Sequence, residues 1–294
     1  MRMKEKYKGI IYIILAAFCF AMMSTFVRLA GDLPSAQKSF FRNLVALVFA
    51  AIILKKEKIG FSHNKKNLGL LIVRSICGTI GILCNFYAID HLLLPDATML
   101  NKMSPFFAII FSYLFLKERV NLVQIFSLIG AFIGCLFIIK PTGNMDIFPA
   151  MIGLLGGLGA GAAYTVVRKL GQRGEKGPFI VFFFSAFSCV AVLPLVILDY
   201  VPMTIPQFLY LLMAGLAAAG GQFSITAAYC YAPAKEISIY DYSQVIFSAI
   251  TGFFLFGQIP DTYSVIGYVL ICGMALYMFL YNTGKIGRKA RQVK

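Results

Sequence analysis

The chain has 294 residues, 60% of them hydrophobic and only 13% charged, and its mean hydropathy is +0.81. Soluble domains carry roughly 25% charged residues, so this chain could not cover its surface in water. Soluble enzymes, nucleic-acid binders and disordered tails are excluded, even though 27 Lys+Arg against 12 Asp+Glu give a net charge of +15.

A helix needs about 20 mostly apolar residues to cross a bilayer core. Ten such runs follow one another, at 9–30, 36–54, 68–89, 96–116, 121–139, 147–168, 178–198, 207–231, 235–256 and 262–282. Lipid-facing backbone must bond to itself, which predicts helices, and the alternating ten-residue segments of a β-barrel are missing. The first run lacks a small-x-small cleavage site after Phe20 and reads as a retained span, not a signal peptide. The second run carries Arg42 and the third Arg74. The fourth carries Lys102 and a Ser104-Pro105 step, which removes one backbone hydrogen bond and predicts a kink. Gly130 and Gly134 in the fifth run, Gly153, Gly157 and Gly161 in the sixth, and the small run Ala217–Gly221 in the eighth suit close helix approach. Static packing is expected for the fifth span; the sixth and eighth are candidates for a moving contact. The ninth run holds Asp241. All seven cysteines fall inside apolar runs and read as small hydrophobes. His63 and His91 stand alone in loops, so neither a metal site nor a cofactor is expected.

Lysine and arginine set the orientation. With both termini cytoplasmic, 21 of the 27 fall on inner segments and three, Arg28, Lys38 and Lys140, fall outside. That split predicts a multi-pass protein of the plasma membrane and accounts for the basic charge without nucleic acid.

A shift of 140 residues superimposes the spans and their breaks without a gap, laying Thr25-x-Val27-Arg28-x-x-Gly31 on Thr165-x-Val167-Arg168-x-x-Gly171. Leu71, Gly81 and Ala88 likewise meet Leu211, Gly221 and Ala228. Each half has five crossings, an odd number, so the second half runs upside down. The fold class expected is an all-α integral membrane protein, with ten transmembrane helices arranged as two inverted five-helix repeats. Residues 1–139 form the first repeat, 140–282 the second, and 283–294 a basic cytoplasmic tail. Inverted repeats are a recurring plan of secondary transporters.

Three stretches carry a resemblance: Phe40-Phe41-Arg42-Asn43-Leu44-Val45-Ala46 in span two, Ala97–Phe107 in span four, and its ending Leu116-Lys117-Glu118-Arg119-Val120. With two halves of five spans, the whole chain resembles the EamA branch of the drug/metabolite transporter superfamily. The second half departs from that pattern, with Phe256-Gly257-Gln258-Ile259 where another acidic-basic pair would stand. The resemblance implies a basket of helices with spans one, three, four, six, eight and nine around a central cavity and spans five and ten at the periphery. It also implies small organic cargoes, amino acids or related compounds, that are often exported.

Ionisable side chains within spans are costly and point to function. At about 1.5 Å of rise per residue, Arg74 and Asp241 lie in the inner half, and Arg42 and Lys102 in the outer half. One reading has Arg74 and Asp241 meeting across spans three and nine as an inner gate, with Arg42 as a further gating residue. The alternative is that Arg74 snorkels to inner-leaflet phosphates. Lys102, beside Asn101, would favour a carboxylate or phosphate on the cargo, unless it only reaches Asp96 or lipid headgroups. Asn85, Tyr87, Asn101, Tyr164, Gln222, Thr226, Tyr240 and Gln244 complete the candidate substrate site, with Tyr240 and Gln244 four apart on one helical face; polar groups of this kind also serve as interhelical glue.

The function expected is a secondary carrier working by alternating access, with a small molecule and the bilayer as partners. An uptake carrier or exchanger for an anionic or nucleoside-like metabolite is the alternative. A membrane enzyme would need a catalytic cluster that the scattered acids do not form, and a channel would not need an inverted repeat. Asp241 is the one carboxyl available for proton coupling. A monomer and a weak homodimer both remain open.

Overall fold

The computed structural model describes residues 2–57, 65–116, 121–139, 147–231, 238–282 and 286, and every regular element among them is helical. Span one is Arg2–Leu29, span two Ser35–Lys56 and span three Leu68–His91. Span four comes in two pieces, Leu94–Asn101 and Ser104–Leu116. Span five is Leu122–Ile139, six Ile147–Gln172, seven Gly177–Leu198, eight Ile205–Tyr231 and ten Thr262–Asn282. Span nine starts as a 3-10 turn, Ser238–Tyr242, and continues as the α-helix Ser243–Phe256. Eight of the ten are unbroken helices long and apolar enough to cross a membrane. The remaining two, four and nine, are repeat mates, and both are interrupted.

The boundaries have local causes. Pro34 precedes span two, and Pro95 and Pro178 sit in the first turns of spans four and seven, where a missing N–H costs nothing. Gly31 and Gly257 follow spans one and nine in the left-handed conformation, at φ +69° and +62°, which glycine adopts without penalty. Span four breaks because Pro105 has no N–H to offer the Asn101 carbonyl; the chain tightens instead through Met103 N–H to Leu100 O, 3.2 Å. In span nine the Ser243 hydroxyl bonds the Tyr240 carbonyl at 2.7 Å, the kind of local bond that competes with the α-ladder. Proline is thus not required for an interruption, and both halves bend, each by its own means.

Helix packing follows the repeat. Span one packs along span eight, and span six along span three, which are the same contact under the 140-residue shift. Gly81 of span three sits against the backbone of Ala160; its mate Gly221 of span eight sits against Phe20, the mate of Ala160. Spans two and seven, four and nine, and five and ten pack repeat mate against repeat mate. These pairs run antiparallel. Gly130 of span five lies on Met274, and Gly134 lies on Ile271 and Leu270. Gln37, Phe40 and Asn43 of span two meet Val201, Cys189 and Ser188 in turn. Helices related by a duplication and lying antiparallel across it are what inversion of one half produces.

The glycines of span six divide between two neighbours. Gly156 and Gly159 admit span three, Gly157 and Gly161 admit span four, and Gly153 touches both, at Ala88 and Leu100. Spans six and eight therefore do not form the moving contact expected between them, since each glycine row is taken by a different helix. Gly130 and Gly134 hold span ten, as static packing requires. A methyl at Gly157 would stand 2.6 Å from the Leu100 carbonyl oxygen, whereas one at Gly273 would meet nothing within 4 Å. Gly157→Ala is accordingly expected to destabilise by about 1–3 kcal/mol, and Gly273→Ala to be neutral or to stabilise by up to ~1 kcal/mol through helix propensity. Thermal unfolding with a thiol-reactive dye measures both, the buried Cys135 and Cys189 thiols serving as reporters.

Candidate functional site

Spans four and nine cross at their interruptions. Three contacts descend together along the crossing: Leu94 N–H to Gln258 Oε1 at 2.9 Å, Thr98 Oγ to Ser248 Oγ at 2.9 Å, and Lys102 Nζ to Asp241 Oδ2 at 2.6 Å. Lys102 and Tyr242 are themselves repeat mates, and the Tyr242 hydroxyl donates to the Lys102 carbonyl at 3.1 Å. The ion pair therefore sits where the pseudo-twofold axis passes between the halves. Both side chains are buried, and the second carboxylate oxygen of Asp241 has no hydrogen-bond partner.

This corrects two expectations. Asp241 pairs with Lys102, not with Arg74. Counting depth from the ends of straight spans separated Lys102 from Asp241; the breaks and the crossing of spans four and nine join them, and the long lysine side chain covers the remaining gap. Lys102 accordingly does not offer a free positive charge, and it does not reach Asp96, which accepts from the Tyr268 hydroxyl. Arg74 does not snorkel to a surface either. Its guanidinium rises one turn along span three, beside Gly78, and lies flat over Phe184 of span seven, 3.7 Å from the ring centroid. Such a desolvated cation–π contact contributes about 2 kcal/mol.

Arg42 turns inward from span two. It donates to Asn43, which in turn donates to Ser188 of span seven at 2.8 Å. Arg42 and Arg74 are 2% and 6% exposed, and their charges reach one another and Tyr164 of span six. Tyr164 stands on the same stripe as Gly157 and Ala160, between spans three and four, and also feels Asp241. Its ring nevertheless keeps 40% of its surface accessible. Spans two and seven thus contribute to the interior through Arg42, Phe184 and Ser188, although the resemblance left them off the lining.

The other candidates scatter. Gln244 is buried near the axis, but the 3-10 turn rotates Tyr240 off its face, onto Phe279 of span ten, 6.3 Å between centroids. Tyr87 lies at the far end of span three, stacked on His91 at 4.1 Å and edge-on to Phe148. His91 is not in a loop; it ends span three and bonds the Tyr87 carbonyl. Asn85 and Asn101 are half-buried, Asn85 against Gly156 and Asn101 with its carbonyl against Gly157. Gln222 is half-buried on span eight. The side chain of Thr226 lies outside the described residues, as do His63, Lys140 and residues 117–120 with the span-four ending.

The end of the bundle carrying Arg28 is sealed. Arg28 donates from span one to the carbonyls of Ile89, at 2.7 Å, and Leu92 at the end of span three, and its guanidinium lies 5.4 Å from the Phe256 ring of span nine. Fully buried Lys38 of span two pairs with Asp90 of span three at 2.6 Å. Thr25 and Thr251 join spans one and nine at 3.0 Å. The charge asymmetry puts Arg28 and Lys38 on the outer side but does not show these links. The signal available was the Thr25-x-x-Arg28 cluster of the repeat.

The EamA-like transporter family matches this chain twice, at residues 7–140 and 147–280. The pseudopaline exporter CntI of Pseudomonas aeruginosa is 32% identical over 267 residues, spanning 90% of this chain and 93% of the exporter. The riboflavin transporter of Brucella anthropi is 27% identical, over 92% of this chain and 98% of its own. Human solute carrier family 35 member G1 is 26% identical, over 96% and 79%. A solved crystal structure superposes with a TM-score of 0.66 over 95% of this chain and 99% of its own at 13% identity, a shared fold. With ten apolar helices in two repeats and transporters as its relatives, the chain belongs to the EamA-like transporter family, a multi-pass membrane protein that transports small molecules.

Proposed function

We propose that the protein is a secondary carrier of the plasma membrane that exports a small organic metabolite by alternating access. Its termini are cytoplasmic, and its repeats are residues 1–139 and 140–282 with a basic tail at 283–294. The observation that carries this reading is the Lys102–Asp241 pair, buried at the crossing of two interrupted, inverted repeat mates. Interrupted helices at the repeat interface are where transporters place their substrate and coupling sites. The orientation rests on the Lys/Arg asymmetry, which places the sealed Arg28 end outside; the structure is then the state closed to the exterior. Export is supported by the likeness to the pseudopaline exporter of Pseudomonas aeruginosa, and amino acids or pseudopaline-like compounds are the cargoes to try first. Asp241, with one free carboxylate oxygen, is the group proposed to couple transport to protons.

Two measurements test the reading. Cysteines placed at Arg28 and Arg168 are expected to react with an impermeant maleimide from opposite compartments; labelling of both from one side overturns the inversion. In proteoliposomes preloaded with an amino-acid mixture, saturable counterflow of at least one member is expected. Flux rising linearly with concentration makes the protein a channel.

A further inference from the structure

The interior holds more positive charge than it balances. Lys102 and Asp241 neutralise one another. Arg42 and Arg74, both buried, face no acidic side chain among the described residues. Arginine does not shed its proton in a protein, so burial cannot relieve these charges, and an uncompensated buried ion costs several kcal/mol. Their hydrogen-bonding capacity is unused as well. Arg42 Nε, Arg74 Nε and Arg74 Nη1 have no acceptor, and the buried hydroxyls of Ser75, Thr79 and Ser185 on spans three and seven have no partner. The unfilled groups are mostly donors, and two of them belong to cations held apart by Phe184 and Asn43 rather than by acids. Tyr164, which is 40% exposed, stands close enough to both arginines to feel their charge.

We infer that Arg42 and Arg74 form the subsite for an anionic group of the cargo, a carboxylate or phosphate, with Tyr164 at its mouth. This rests on the carrier reading and names the cargo's charge. A guanidinium presents planar, paired donors to an oxyanion. An anion bridging the two would draw span two and span three together and satisfy both charges at once. Lys102, already neutralised, fixes the crossing helices and leaves anion recognition to the arginines.

The test uses the full-length protein in nanodiscs of phosphatidylcholine, melted with a thiol-reactive dye in the presence of succinate, inorganic phosphate or the neutral, equally sized succinamide. Succinate or phosphate at about ten times its Kd is expected to raise the melting temperature by about 2–4 °C, and succinamide to do nothing. Arg42→Gln and Arg74→Gln should each abolish the response. Should either fail to fold, Phe184→Leu, which keeps both charges and removes the platform under Arg74, should weaken the response at least threefold in apparent Kd. Equal stabilisation by succinamide, or a response unchanged in the arginine variants, overturns the subsite. Stabilisation by added phosphatidylglycerol with none by succinate or phosphate assigns the arginines to lipid and also overturns it. Each negative outcome leaves counterflow untouched, so the carrier reading fails or survives separately.

Discussion

Replacing Asp241 by asparagine is expected to abolish transport and lower the melting temperature sharply, while the double substitution K102M/D241N recovers the melting temperature without recovering transport. A buried ion pair stabilises little over apolar residues of the same volume, but removing one partner leaves an uncompensated charge and costs about 3–5 kcal/mol. Here the orphan would be Lys102, 7% exposed at its side chain, on a helix already short of one backbone hydrogen bond at Pro105. Melting temperatures should therefore rank wild type and the double variant together, well above D241N. Counterflow separates the roles. If the double variant carries substrate at the wild-type rate, the pair is only a brace between spans four and nine, and the site at the axis is lost as a proposal.

Arg28→Gln is expected to open the sealed end by about a hundred- to ten-thousandfold in its equilibrium. Charge-assisted hydrogen bonds contribute about 1.5–3 kcal/mol each, and Arg28 makes two, to Ile89 and Leu92, in addition to its contact with Phe256. Those bonds exist only while the ends of spans one, three and nine are together, so their loss bears on the closed state alone. Thr251→Cys, half-buried in this seam against Thr25, reports the change as faster reaction with an impermeant maleimide. The repeat adds a mirror test. Arg168, whose side chain lies outside the described residues, is the residue that the 140-residue shift lays on Arg28, and Arg168→Gln is expected to slow labelling at position 251 by favouring the state closed at the Arg28 end. Two variants shifting the label in the same direction would contradict a reciprocal pair of latches.

Much of the fold can be read from the chain because lipid imposes long apolar runs and duplication imposes register. All ten spans lie within a few residues of their apolar runs, and Gly81 with Gly221 makes one contact twice. The interior was harder. Asp241 was assigned to Arg74 by depth along straight helices, and depth says nothing of where two broken helices cross. Gly78 is the space that lets Arg74 rise onto Phe184, a role that spacing along the chain does not mark. Tyr240 and Gln244 share a face only in an unbroken α-helix, and the 3-10 turn between them is not written in hydropathy. Arg42 and Arg74 were legible as buried charges, but Phe184 under Arg74 and Ser188 bonded to Asn43 come from a span with no polar signal strong enough to place it inward.

The position of Lys102 on the axis has a last consequence for how the molecule must be made. Two free copies of one half, assembled antiparallel about a dyad, would be isologous, and the residue on the dyad would confront its own duplicate. A lysine so placed would repel itself in a medium that screens nothing. Only two halves of different sequence let one side of the dyad be lysine and the other tyrosine beside an aspartate, and this polypeptide carries both. The trailing half is therefore the obligatory counterpart of the leading one, and neither half can replace the other by self-association.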